Sequence, residues 1–414
     1  MALFRGCILG VMFTFALAFE ASGQSPTPTP VITSPQIPAD VSIPDGFKGN
    51  PIAFFDDYSW RAFVALVWPA LNGRRSVPDP SQKVGVISVP LVFETFKADW
   101  EVFQPNGTRP SPWESYEGVT PCPNLQNVAF GDVVLASFSE FGNIGQAGFG
   151  NLVGPLVAQN GTYLRYLTGF NQKKFARILK ERLYLRKNLG KPVHPLTIDM
   201  NSLDVKSAWM DMTNVKNCDR YYTRTAYVFD VTTSPPACSK KTVGLVGLHI
   251  VQKTQTRRQW IWSTFEQVDN VPPGNGPFAL NNGIGTPMPL SNPIKFPPPP
   301  VPPPPFNVER KMPIHQSTQN TNTAYQNALK GTVWQFYELV LTQWPVPANT
   351  PANRGTPGFT FPGTNATTSF ANTSMETFDQ TKISTGCMNC HNITKAASDF
   401  DWTISINAFP TPTP

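Results

Sequence analysis

The sequence predicts a mainly β fold of the α+β class: an antiparallel sheet or sandwich with added helices, followed by a short helical C-terminal module. Three observations carry this. Stretches rich in β-formers recur at 203–210, 221–231, 243–253, 259–266 and 336–344, several of them joined by short connections, as in an antiparallel sheet. Two other stretches repeat apolar residues at helical spacing. Finally, 40% of the 414 residues are hydrophobic and only 14% are charged, against ~25% charged in an average soluble domain, so a core can be built.

In chain order, Asp56 or Asp57 is the expected cap of a first helix, in which Trp60, Phe63, Val64 and Val67 recur at i, i+3, i+4 and i+7. Pro69 ends it. Val86 to Phe96 reads as a strand, restricted to an edge by Pro90. Asn160-Gly161, between Leu152–Gln159 and Thr162–Phe170, is a strong hairpin signal because both residues tolerate positive φ. A second helix is expected after Asn171, with Phe175, Ile178, Leu179 and Leu183 on one side.

Proline divides the chain. Of 44 prolines, 29 fall in residues 26–51, 272–305, 345–362 and 410–414, so the excess is local. Pro297 to Pro305, broken only by Val301, is expected to be polyproline II, since proline fixes φ and removes the amide donor. The expected organisation is a signal peptide at 1–23, a Pro/Thr-rich linker at 24–50, and a β-rich domain at 51–345 that includes the Pro-rich segment 272–305. A C-terminal module at 346–409 and a Pro-rich tail at 410–414 complete it.

Within residues 1–23, Arg5 precedes the apolar stretch Ile8 to Phe19, and Ala21-Ser22-Gly23 offers a small-residue cleavage site. The apolar stretch falls short of the ~20 residues needed to span a bilayer. A periplasmic or secreted protein with no transmembrane span in the mature chain is therefore expected. The net charge of +6 is diffuse and includes no Lys/Arg-rich run, so no nucleic-acid partner is expected.

The chain contains only six cysteines and four histidines, and three of these ten lie within Gly386-Cys387-Met388-Asn389-Cys390-His391. Cys-x-x-Cys-His is the attachment signature of c-type haem. Two thiols three positions apart on a helical turn can each bond one porphyrin vinyl group, and the adjacent histidine is directed at the iron. One covalent haem c is expected, held by Cys387 and Cys390, with His391 as proximal iron ligand. A thioredoxin-like pair would need a βαβ context, and a structural zinc site would need further ligands.

The leading candidate for the distal ligand is Met375, twelve residues before Cys387; it would raise the potential. Any methionine ligand must come from upstream, because none of the 23 residues after His391 is methionine. His249, His315 and His194 are the other candidates; without any of them the iron is five-coordinate. Phe378, Phe400 and Trp402 are available to cover the porphyrin edge. At most one disulfide can form among Cys122, Cys218 and Cys238, and its pairing stays open, although Cys218–Cys238 would close the shortest loop.

Around this motif the chain resembles a family of exported bacterial cytochrome c proteins with a single C-terminal haem motif. The residues that carry the resemblance are Asn372-Thr-Ser-Met-Glu-Thr-Phe378, Gly247-Leu-His-Ile-Val-Gln-Lys253, Gln259 to Asn270, Ser59 to Leu66 and Glu94 to Lys97. The resemblance implies covalent haem at Cys387 and Cys390 with His391 on the iron, and it supplies no substrate. The expected function is single-electron transfer to a redox partner protein in the cell envelope, with no catalytic residue assigned. The alternatives are a haem enzyme or gas-binding protein with an open distal site, and a non-catalytic ligand-binding module of the envelope.

Overall fold

Nine strands form one curled sheet in the computed structural model, which describes residues 27–137, 154–230, 234–273, 276–294, 298–345, 359–360, 372–380 and 386–410. The expected signal peptide, most of residues 346–371 and the end of the tail lie outside the described residues. The strands are β1 (Lys97–Ala98), β2 (Val134–Leu135), β3 (Arg165–Phe170), β4 (Leu203–Asp211), β5 (Thr223–Asp230), β6 (Ala237–Gln252), β7 (Ile261–Gln267), β8 (Thr286–Pro287), β9 (Phe306–Asn307), β10 (Tyr337–Pro345) and β11 (Phe359–Thr360). The helices are α1 (Ile52–Leu66), α2 (Asp99–Val102), α3 (Gln172–Glu181), α4 (Gln316–Ala328), α5 (Cys387–His391), α6 (Lys395–Ser398) and α7 (Trp402–Asn407).

The main path runs β1-β3-β4-β6-β7-β10-β11, with β5 beside β6 and β2 beside β5. The 16-residue β6 organises it. Its first half pairs with β5 and its second half with β7 along one edge, while β4 takes the opposite edge. Pairing is antiparallel except between β2 and β5, so the sheet is mixed. A single sheet forms here rather than a sandwich, with β8 and β9 as a separate two-stranded ladder.

One face is buried under α1 and α4, where Trp60, Phe63, Leu248, Phe265, Tyr325 and Trp334 make an apolar cluster with Leu203 and Val205. Trp60 stacks on Tyr325 at 5.1 Å, and its indole N–H donates to Asn322 Oδ1 at 2.9 Å. A buried indole needs such a partner.

The helix expected from Asp56 or Asp57 begins earlier, after Pro51. Asp56 therefore lies inside it and is buried rather than capping. It accepts hydrogen bonds from Thr318 (2.7 Å) and Thr342 (3.0 Å), and burial pushes its carboxyl up to about 7. The strand expected over Val86–Phe96 does not form either. Val92–Thr95 is a 3-10 turn, because the Glu94 carboxylate accepts the Leu91 amide at 2.8 Å and curls the chain. Asn171 does cap α3, accepting the Lys174 amide at 3.0 Å. The turn at Asn160-Gly161 also forms, with Gly161 at φ +79° and Val157 bridging Tyr163.

The Pro-rich segment 272–305 does not separate two units. The chain leaves the sheet after β7, covers the second face with Leu280, Phe306 and Val308, and returns as β10 beside β7. The N-terminal Pro/Thr-rich stretch is docked: Pro38 carbonyl accepts from Gln252, Asp40 accepts from Thr256, and Ile32 and Ile37 pack on the first cluster.

Cys122 is bonded to Cys238 across a sequence separation of 116 residues, and Cys218 keeps an exposed thiol. Replacing Cys122 and Cys238 together by serine should cost about 2–5 kcal/mol of stability, read from urea unfolding. Reducing agent should bring the wild type to the variant's midpoint and leave the variant unchanged.

Candidate functional site

Residues directly opposite in a ladder share a face, so the register of β3, β4, β6 and β7 arranges the second face in rows. One row is Tyr166, Ala208, Gly247 and Glu266; the next is Thr168, Lys206, His249 and Thr264; the third is Phe170, Asp204, Val251 and Trp262.

Residues 372–380 cover the first row. Tyr166 donates its hydroxyl to Ser374 carbonyl at 2.7 Å, and the Thr373 amide and hydroxyl donate to Glu266 at 2.5 and 2.6 Å. Asn372 donates to Thr264 and to Phe265 carbonyl at 3.0 and 2.9 Å. Gly247 permits this approach, since a Cβ there would lie 2.3 Å from Ser374 Oγ.

The C-terminal helices cover the third row. Trp262 lies 4.3 Å from the His391 ring, and the buried Lys174 pairs with both Asp204 of β4 and Asp401 before α7. Thr168, Lys206 and His249 of the middle row, with Asp204, Val251 and Trp262 of the third, floor a cavity of about 50 Å³ that is lined also by Trp260, His391, Phe400 and Trp402.

The motif itself forms α5. Gly386 precedes it in an extended conformation, and its carbonyl accepts the Cys390 amide at 3.2 Å, closing one helical turn that carries both thiols. His391 follows at the end of this turn. Its Nδ1 donates to Phe400 carbonyl at 2.6 Å, so Nε2 carries the lone pair. A histidine that ligates a metal is held in the same way, with its other ring nitrogen bonded to a carbonyl or carboxylate.

The carbonyl is held in turn. Asp399 and Phe400 are consecutive left-handed residues, at φ 56° and 71°, a conformation that costs side-chain-bearing residues energy. Several contacts offset that cost. Asp399 carbonyl accepts from Trp260 at 2.9 Å, its carboxylate accepts the Ile198 amide at 2.8 Å, and it pairs with the buried Lys253.

Burial dominates the electrostatics. It pushes the His391 imidazole down to about 4, leaving the neutral form that ligates metals. It pushes Lys206 down to about 7 against the opposing charge of Glu376, and it pushes the Cys387 thiol well up. A thioredoxin-like cysteine needs the reverse, a lowered thiol. Among the described residues, no group of three or more His, Cys, Asp or Glu could hold a bare metal ion. A zinc site needs such a group, whereas haem iron takes four bonds from the porphyrin and only one or two from protein. Two thiols on one helical turn beside a neutral imidazole are the donor set that a c-type haem would use.

The structure brings His391 together with Phe400 and Trp402 at the cavity, while Cys387 and Cys390, on the same turn as His391, are not among its lining residues and Cys387 packs against the apolar cluster of Phe175, Trp262 and Phe400. Met375 is elsewhere: fully buried, it packs in the apolar cluster with Val246 and Phe378, against the backbone of Gly247. Phe378 stands edge-on to Phe306 in that cluster. His315 caps α4, accepting the Ser317 amide at 3.2 Å, and His194 is exposed on a turn. His249 lines the cavity.

Sequence reasoning passed over Lys206, Trp262 and the Lys174–Asp204–Asp401 cluster. In β4 the alternation of Leu203 and Val205 with Asp204 and Lys206 reads as one face to the core and one to water, and nothing local shows that the polar face is covered. No protein-family model, curated protein or solved structure matches the chain.

Proposed function

We propose that the protein is an exported monohaem c-type cytochrome that carries single electrons, with haem bonded to Cys387 and Cys390 and His391 as proximal ligand. The observation that carries this reading is the pairing of a Cys-x-x-Cys-His helical turn with a His391 imidazole whose Nδ1–H is tied to Phe400 carbonyl at 2.6 Å. Bound haem would supply one-electron exchange between ferric and ferrous iron. The chain's own residues would orient the imidazole through the Asp399-Phe400 turn and screen one side of the site with Trp260, Trp262 and Trp402.

The cavity has room for only a water or two, so loading a porphyrin requires residues 372–380 and 386–410 to move apart over the middle row. Export is supported by the Cys122–Cys238 disulfide, which calls for an oxidising compartment. Among the described residues no helix is long and apolar enough to cross a membrane. The partner is proposed to be a redox protein of the cell envelope.

The test is expression of the full chain with haem-maturation machinery, followed by denaturing electrophoresis with haem staining and a redox titration. Haem should stay on the denatured chain and titrate as a single one-electron centre. Absence of denaturation-resistant haem would sink the proposal. Rapid carbon monoxide uptake by a high-spin ferrous form would replace electron transfer with the open-site alternative.

A further inference from the structure

The net charge, expected to be diffuse because the chain has no Lys/Arg-rich run, is concentrated in one place. Residues 172–191 hold eight of the 33 Lys and Arg and one of the 27 Asp and Glu, a net +7. The rest of the chain carries 25 against 26 and is close to neutral.

The fold fixes where these charges point. Buried Phe175 and Ile178 hold one side of α3 to the body, so Lys173, Arg177 and Lys180, at i, i+4 and i+7, share the opposite side. The inward Lys174 is matched by Asp204 and Asp401, and Arg177 by Glu181 and Asp199. Lys173, Lys180, Arg182, Lys187 and Lys191 are exposed and make no ion pair among the described residues. Like charges this close repel one another, a cost that an anionic surface would convert into attraction.

Two further features narrow the partner. Val193 follows at once, on the turn bridged by Lys191 and His194 and between Pro192 and Pro195, and is 79% exposed. An acidic protein face or a soluble polyanion would reward the cations alone; a bilayer of anionic lipid rewards the cations and a protruding apolar side chain together. The segment is also fastened to the C-terminal helices. Gly190 and Leu196 amides donate to Ala397 and Ala396 carbonyls at 2.9 Å, and Arg186 donates to Ser405 and Pro410 carbonyls at 2.8 and 2.7 Å.

We propose that residues 172–195 are a docking surface for an anionic lipid bilayer, with the five unpaired cations on the headgroups and Val193 inserted between them. Association is peripheral and places the C-terminal module next to the lipid. The inference is independent of the haem reading.

The probe is a vesicle of equal parts phosphatidylglycerol and phosphatidylcholine, with pure phosphatidylcholine vesicles as the neutral control. The exported chain without residues 1–23, whose apolar stretch would itself bind lipid, is tested by sedimentation at low ionic strength. It should sediment with the anionic vesicles only, and be released at about 0.5 M salt, where the charges are screened. Lys173→Gln, Lys180→Gln and Lys187→Gln together should weaken binding at least about tenfold. The same change at the exposed Lys83, Lys216 and Lys330 removes equal charge outside the segment and should leave binding within about twofold. Val193→Ser should weaken vesicle binding several-fold and leave binding to soluble polyglutamate unchanged.

No sedimentation with anionic vesicles, equal losses in the two triple variants, or vesicle binding untouched by Val193→Ser overturns the proposal. Binding to polyglutamate but not to vesicles overturns it as well, and assigns the surface to an acidic protein.

Discussion

Chain carrying serine at both 387 and 390 should emerge from a haem-maturing host without haem that survives denaturation, while each single variant should keep one covalent link. The reason is chemical: only a cysteine thiol can add to a porphyrin vinyl group at these positions, and α5 places the two sulfurs on one turn beside His391. The loss should be complete, reaching the background of an unrelated exported protein on the same haem-stained gel. The folded body should persist, because its largest apolar cluster contains no residue of the motif. Far-ultraviolet circular dichroism separates the two effects. A double variant that still carries denaturation-resistant haem would reject the covalent assignment.

Replacing Lys174 by methionine should destabilise the chain by about 3–5 kcal/mol, the cost of stranding buried charge. Lys174 is fully buried between Asp204 and Asp401, and so ties α3, the sheet and the C-terminal helices together. Burial works to lower its pKa, but the two carboxylates outweigh burial and hold it above the ordinary lysine value. Asp204 is pushed up to about 7, by burial first and then by the charge of Asp401, against the pull of Lys174.

The pH dependence has a definite sign. A carboxyl with a raised folded pKa binds more protons folded than unfolded, so its contribution to stability falls as pH rises between about 4 and 7. Removing Lys174 raises the folded pKa of Asp204 further, since the Lys174 charge is what pulls it down. The deficit of Lys174→Met should therefore be smallest near pH 5 and larger at pH 8, measured by urea unfolding at both. A deficit independent of pH would show that Lys174 acts through packing alone.

The elements most legible in the sequence were those with a strong local cause. β4, β7 and β10 lie within a residue or two of their expected bounds, because β-formers alternate there and turn residues bracket them. Asn171 was identifiable as a cap because its short side chain can reach a helix amide. Asp56 was misread for the opposite reason: its two threonine partners come from α4 and β10, more than 250 positions away. The pairing of Cys122 with Cys238 was equally invisible, since it depends on where β6 begins in the sheet.

At the candidate site, the sequence alone determined the motif. Cys387, Cys390 and His391 are neighbours in the chain, and one helical turn is enough to align them. What faces them was decided only by the tertiary structure. The row of Thr168, Lys206, His249 and Thr264 is assembled from four strands by ladder register, and strand register follows from the burial of the opposite face. For the same reason Met375, close to the motif in sequence, is packed away from it, while His249, 142 positions before His391, shares its cavity. Chain spacing determines which atoms can meet on a single turn; across a sheet, that is determined by packing.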